Sequence, residues 1–164
     1  MQESLHQKEE TKLEVALKEA KKVKKQNKKI KKKIKGFHYG LIEVRAFSEK
    51  TNSQMTNDEL DFLVRCADNI IASLELDEKT LTRLIKAIKK LKSMGITTMD
   101  SEVMNLLKLV VEKDEMMENY FTEQYRDRYF GFRRVDTKDV LTNRTYEYTR
   151  QIEESAQKLS LKRN

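Results

Sequence analysis

Proline is absent from all 164 residues of the chain. It is the residue that removes a backbone donor and collides with the preceding helical turn, so nothing here compels a helix to end. Only four glycines are present to turn the chain, so long helices are the expected element. The single cysteine and the low glycine count leave out a disulfide scaffold, a collagen-like repeat and a glycine-rich β-barrel. The expected fold is all-α, a compact bundle of four to five helices with a long basic helix at the N-terminal end.

No stretch approaches the roughly 20 consecutive apolar residues of a membrane span, and no apolar segment follows the first charges as in a signal peptide. A soluble chain is therefore expected. Cys66 has no second cysteine to pair with, which permits a reducing compartment.

The net charge of +7 is unevenly distributed. Residues 1–50 carry +8, residues 51–132 carry −4 and residues 133–164 carry +3. Three segments are expected from this and from the apolar spacing. They are a basic helical arm over 1–47, a helical bundle over 56–132, and a C-terminal helix within 133–164 that packs on the bundle or the arm. No repeat of 20 to 50 residues is apparent.

In the arm, Leu13, Ala16, Ala20, Val23, Asn27, Ile30, Ile34, Phe37 and Leu41 follow one another at alternating steps of three and four. That is the a/d pattern of a heptad seam, with Asn27 at an a position. Asn27, Ile30 and Ile34 are the candidate oligomerisation residues, since a buried Asn selects a two-stranded pairing. Small Ala16 and Ala20, lysines at the e and g positions, and Gly36 and Gly40 within the helix weigh against a stable homodimer.

Around the seam stand Lys21, Lys22, Lys24, Lys25, Lys28, Lys29, Lys31, Lys32, Lys33 and Lys35. They are candidates for binding an anion, either as a solvated helix surface or by neutralising phosphates without reading bases. Lysine lacks the planar fork of arginine, and no aromatics interleave with the run, so nucleic-acid binding would be nonspecific and salt-sensitive. An anionic membrane surface or an acidic helix would satisfy the same charges.

In the bundle, Thr56-Asn57-Asp58-Glu59 has the form of a capping box ahead of Leu60, Leu63, Ala67, Ile70, Ile71 and Leu74. Asp77 reads as the N-cap of a second helix with Leu81, Leu84, Ile85, Ile88 and Leu91, which Gly95 would end. The connection at Glu75 and Leu76 would then be the tip of a helical hairpin. A third helix is expected near Met99 to Lys113, and a fourth after Asp114, carrying Met117, Tyr120, Phe121, Tyr125 and Phe130 and closed by Gly131. Thr137 can cap the last helix, which carries Leu141, Tyr148, Ile152, Ala156 and Leu159.

Ile70, Ser73, Leu74 and Asp77, then Arg83, Ile85, Ala87 and Leu91, then Ile96-Thr97, and later Met117-Glu118 with Tyr125 and Arg126 carry a family likeness. Over residues 63–130 the chain resembles the helical domain at the N-terminus of elongation factor TFIIS. It most resembles the related integrase-binding domain of lens-epithelium-derived growth factor and hepatoma-derived growth-factor-like proteins. The resemblance implies a peptide-binding adaptor in the nucleus; without it the expected location is cytoplasmic. The implied partner is a protein with an acidic linear motif ending in a Phe-x-Gly-Phe-like core. By the same resemblance Asp77 would accept hydrogen bonds from ligand amides, and Leu74 and Leu76 would wall the aromatic pocket.

The remaining residues name no chemistry. His6 and His38 have no ligand-type neighbours at metal spacing, so no metal, cofactor or catalytic role is expected. Cys66 reads as a small buried side chain. Glu112, Asp114, Glu115 and Glu118 form at most a weak cation site. Asn143-Arg144-Thr145 fits a glycosylation sequon, which signifies only on secretion. Tyr129-Phe130-Gly131-Phe132 itself resembles a ligand core, but the favoured reading is a helix end with aromatics folding back.

The expected function is thus a non-enzymatic adaptor with nonspecific nucleic-acid affinity from its arm. The alternative is a structural or assembly protein of bacterial or viral type, whose arm pairs with another helix, dimerises, or lies on an anionic membrane.

Overall fold

The computed structural model describes residues 11–46, 55–96, 98–130 and 138–159. Among the described residues there are four helices and no strand: α1 (Lys12–Ala46), α2 (Asn57–Ser93), α3 (Asp100–Tyr129) and α4 (Lys138–Lys158). None is long and apolar enough to cross a membrane.

The helices run up, down, up and down. Glu14 pairs with Lys92, Lys31 with Glu78, and His38 Nε2 lies 2.7 Å from Asp68 Oδ1, so α1 and α2 are antiparallel. Asn27 and Phe37 on α1 meet Asp114 and Phe121 on α3 in the same order, so these two are parallel. The fourth helix packs chiefly on α3, where Asn105 Nδ2 donates to Ser155 Oγ.

Two of the expected helix boundaries are absent. The helices expected on either side of Glu75-Leu76 are one continuous helix of 37 residues, and those expected before and after Asp114 are one helix of 30 residues. Asp77 and Asp114 are interior helical residues that turn into the core rather than N-caps. The apolar seams explain why. Leu60, Leu63, Ala67, Ile70, Leu74, Asp77, Leu81, Leu84 and Ile88 keep the three–four alternation without a break and are all buried. Such a seam favours one long helix along one partner surface over a hairpin.

The true ends are capped as their residues allow. The Glu59 amide donates to Thr56 Oγ1 and the Thr56 amide to Glu59 Oε1, each at 3.2 Å, a closed capping box. At the other end Gly95 takes φ +71, and the Ile96 and Gly95 amides donate back to the Leu91 and Lys92 carbonyls. This is a Schellman closure that needs glycine. Gly131 and Thr137 lie outside the described residues.

Among the described residues the interior holds two apolar clusters. One gathers Ile30, Ile34, Leu63, Ile70, Leu74 and Phe121; the other gathers Leu13, Ala20, Leu81, Leu84, Val103 and Leu106. The seam of the expected arm supplies residues to both, so α1 is a full member of the bundle. Cys66 is buried in the first cluster, and burial pushes its thiol up to about 11 against the opposing charges of Arg128 and Arg65.

Candidate functional site: a lysine face and a buried polar layer

Between the two apolar clusters every seam changes character at one level. On α1 Asn27 falls between Val23 and Ile30; on α2 Asp77 falls between Leu74 and Leu81; on α3 Lys113 and Asp114 fall between Val110 and Met117. All four are almost fully buried. Lys113 Nζ donates to Asp77 Oδ1 at 3.0 Å. Asn27 Nδ2 donates to Asp114 Oδ2 at 2.9 Å and to the Leu74 carbonyl at 3.1 Å. Burial, reinforced by a hydrogen bond with Asp77 and by its charge, pushes the Asp114 carboxyl up to about 10. Asp114 is therefore protonated at neutral pH. Drawn as carboxylates, Asp77 Oδ2 and Asp114 Oδ1 are both buried without a donor; one proton held between them satisfies both.

This layer corrects two expectations. Asn27, Ile30 and Ile34 are spent inside the chain against α2 and α3, so the seam meant for a second copy is already occupied. Leu74 and Leu76 do not wall one pocket, because residues two apart on a helix do not face each other. Leu74 lies in the core, whereas Leu76 is 58% exposed.

The exposed Leu76 instead borders a cleft of about 490 Å³ between α2 and α4. Lys79, Thr80 and Arg83 form its α2 wall, Ile152 and Ala156 its α4 wall, and the buried Asp77 and Lys113 also line it. A neighbouring cleft of about 400 Å³, lined by Ile70, Met117, Leu141 and Tyr146, shares Thr149 with it. The pair forms because α4 rests on α3 and stands off α2.

The outer surface of α1 is different again. Positions b, c and f of its heptads from residue 18 to residue 35 are Lys18, Lys21, Lys22, Lys25, Lys28, Lys29, Lys32 and Lys35, eight lysines without exception. The lysines at the borders are tied to neighbouring helices: Lys31 to Glu78, Lys33 to Glu118 and Lys35 to Glu75. The pairing with Lys31 holds the Glu78 carboxyl below its usual range. Lys24 and Lys31 are half-buried, and the other eight candidate lysines are exposed. Lys21, Lys22, Lys25, Lys28, Lys29 and Lys32 take part in no ion pair among the described residues.

The acidic cluster disperses: Asp114 turns inward and Glu118 pairs with Lys33. No group of metal-type ligands occurs among the described residues, and His6, Gly131 and Phe132 lie outside them. Sequence reasoning missed the role of Lys113, although it stands at a core position in the run Val103, Leu106, Val110, Lys113, Met117, Tyr120. A charged residue at such a position signals a buried partner. Comparison of the chain with protein-family models, curated proteins and solved structures finds no match.

Proposed function

We propose that the protein is a non-enzymatic interaction protein that binds nucleic acid without sequence preference through the outer face of α1. One observation carries this: the b, c and f positions over residues 18–35 are all lysine, and six of these side chains have no ion-pair partner among the described residues. At about 1.5 Å per residue the face extends for roughly 26 Å, enough to lie along several phosphates. A bilayer fits less well. The apolar residues of this stretch of α1 are turned into the bundle, which leaves nothing between Lys18 and Lys35 to enter lipid.

The test is fluorescence anisotropy with a labelled DNA duplex against the full chain at rising salt. Affinity falls by about a thousandfold between 50 and 200 mM salt if some six phosphates are neutralised. Lys22→Glu with Lys25→Glu and Lys29→Glu abolishes binding at every salt concentration. A flat salt profile, or tighter binding to phosphatidylserine vesicles than to DNA, overturns the proposal.

A second reading, that the bundle is an adaptor for an acidic linear motif, is favoured by the α2–α4 cleft. Leu76 and Asp77 border it, and Lys79 and Arg83 give it a basic wall. Titration with an acidic Phe-x-Gly-Phe peptide then shifts the resonances of Leu76, Asp77 and Ile152. No shift at these residues removes the adaptor role, and the nuclear location with it.

A further inference from the structure

The lysine face does not end at Lys35. Its heptad positions continue through Gly36 at c, Tyr39 at f and Ile42 at b, with Gly40 at the neighbouring g. Two glycines four residues apart in a helix interior are disfavoured by propensity and need a reason. Packing among the described residues supplies none, since a Cβ at Gly36 or at Gly40 would meet nothing of theirs within 4 Å. Neither lies at the positive φ that demands glycine; among the described residues Gly95 alone does. Tyr39 is 66% exposed, and its hydroxyl is hydrogen-bonded to Glu43 one turn on. Gly36 and Gly40, one turn apart, leave the helix surface on either side of Tyr39 without side chains. The exposed ring thus stands on a stretch of helix surface that is otherwise open.

We propose that the nucleic acid bound along the lysine face is single-stranded, and that one of its bases stacks on Tyr39 over the surface left open by Gly36. This rests on the lysine face binding nucleic acid at all. It adds the strand class, because a duplex keeps its base faces stacked inside and offers an exposed ring only sugar and phosphate, whereas a single strand offers base faces. Lysines that track a backbone, followed on the same helix face by an uncovered aromatic ring, are the two parts such binding needs. An anionic lipid surface is the weaker partner, because Glu43 projects beside Tyr39 and Ile42 where the face would have to enter the bilayer.

The test compares a labelled 20-nucleotide single strand with its duplex on the full chain at 50 mM salt. Tyr39→Ala weakens single-strand binding about tenfold, leaves duplex binding within twofold, and keeps the salt dependence of both. Tyr39→Phe restores the single-strand affinity, since stacking needs the ring and not the hydroxyl. Gly36→Leu separates binding from folding. It raises or preserves the thermal midpoint, because the helix gains a better former at a position where a side chain meets nothing among the described residues. It nonetheless lowers single-strand affinity about tenfold by filling the open surface beside Tyr39 that a stacked base would lie over. Tyr146→Ala, which removes an equally exposed ring on α4, changes neither affinity. Equal losses for both polymers, or no loss with Tyr39→Ala and Gly36→Leu, overturn the strand assignment and leave the lysine face standing. A wild-type chain that binds neither polymer overturns the lysine face itself. Loss on phosphatidylserine vesicles alone replaces the single strand with a lipid surface.

Discussion

Lys113 Nζ stands 3.0 Å from Asp77 Oδ1, with the two side chains only 2% and 3% exposed. The pair sits in the layer that parts the two apolar clusters. Two charges removed from water give little net stability, but breaking such a pair by removing one partner leaves an uncompensated charge in the core. Lys113→Met is therefore expected to cost about 3–5 kcal/mol in urea unfolding. Adding Asp77→Leu to it recovers part of that loss, because it removes the uncompensated charge but leaves the buried Asp114 hydroxyl without its acceptor. A double variant no more stable than Lys113→Met alone would show that the pair is not the source of the loss.

The same layer makes the fold sensitive to alkali. The Asp114 carboxyl is raised to about 10 by burial and by Asp77, while an unfolded aspartate titrates near 4. Between these values the folded chain holds a proton that the unfolded chain does not. The contribution of Asp114 to stability is therefore fullest below the unfolded value of about 4 and falls as pH rises from there, by at most about 1.4 kcal/mol per pH unit. Chemical denaturation from pH 5 to pH 8 checks this. Asp114→Asn flattens the profile and stabilises the fold at pH 8, because its amide can donate to Asp77 without a proton from solvent and its carbonyl still accepts from Asn27.

How far this was legible in the sequence differs from residue to residue. The α1 seam from Leu13 to Leu41 was plain from its spacing, and so were the Thr56 capping box and the glycine stop at Gly95. What spacing could not supply was the partner of the seam, since a strip that fits a second copy fits two helices of its own chain equally well. Asp77 was the costliest ambiguity. Aspartate is a common N-cap, and the residues after it form a good helix, so a helix start was the local solution. The deciding fact is non-local: Lys113, 36 residues away, supplies the counter-charge that lets Asp77 stay inside an unbroken helix. The lysines of the candidate site could be named from sequence, but the bare surface at Gly36 and the uncovered ring of Tyr39 depend on what packs around α1.

Asn27 distinguishes the internal seam from a dimeric one. In a two-stranded coil, Asn27→Leu would raise stability and loosen the choice of partner. Here Asn27 Nδ2 donates to Asp114 Oδ2 and to the Leu74 carbonyl, both buried. Removing it strands polar atoms in the core, so Asn27→Leu is expected to lower stability by about 1–3 kcal/mol. Light scattering should give the same mass for variant and wild type. A stabilised variant with a changed mass would return the seam to an intermolecular role.

The lysines of α1 divide into those that hold the fold and those that strain it, and salt separates the two groups. Lys31 pairs with Glu78 across α1 and α2, with about a fifth of each side chain exposed, so Lys31→Gln costs up to about 1 kcal/mol. Lys21, Lys25, Lys28, Lys29 and Lys32 stand three and four residues apart on one face with no acid among them. Like charges at that spacing destabilise a helix by about 0.2–0.5 kcal/mol for each pair. Lys25→Gln with Lys29→Gln is therefore expected to raise the thermal midpoint at low salt. The gain shrinks as salt approaches 0.5 M, where screening already relieves the repulsion in the wild type. The same double variant weakens DNA binding at 50 mM salt, since the charges that oppose folding are those left over for phosphate. A midpoint that falls with Lys25→Gln and Lys29→Gln would place these two lysines among the side chains that hold the bundle together.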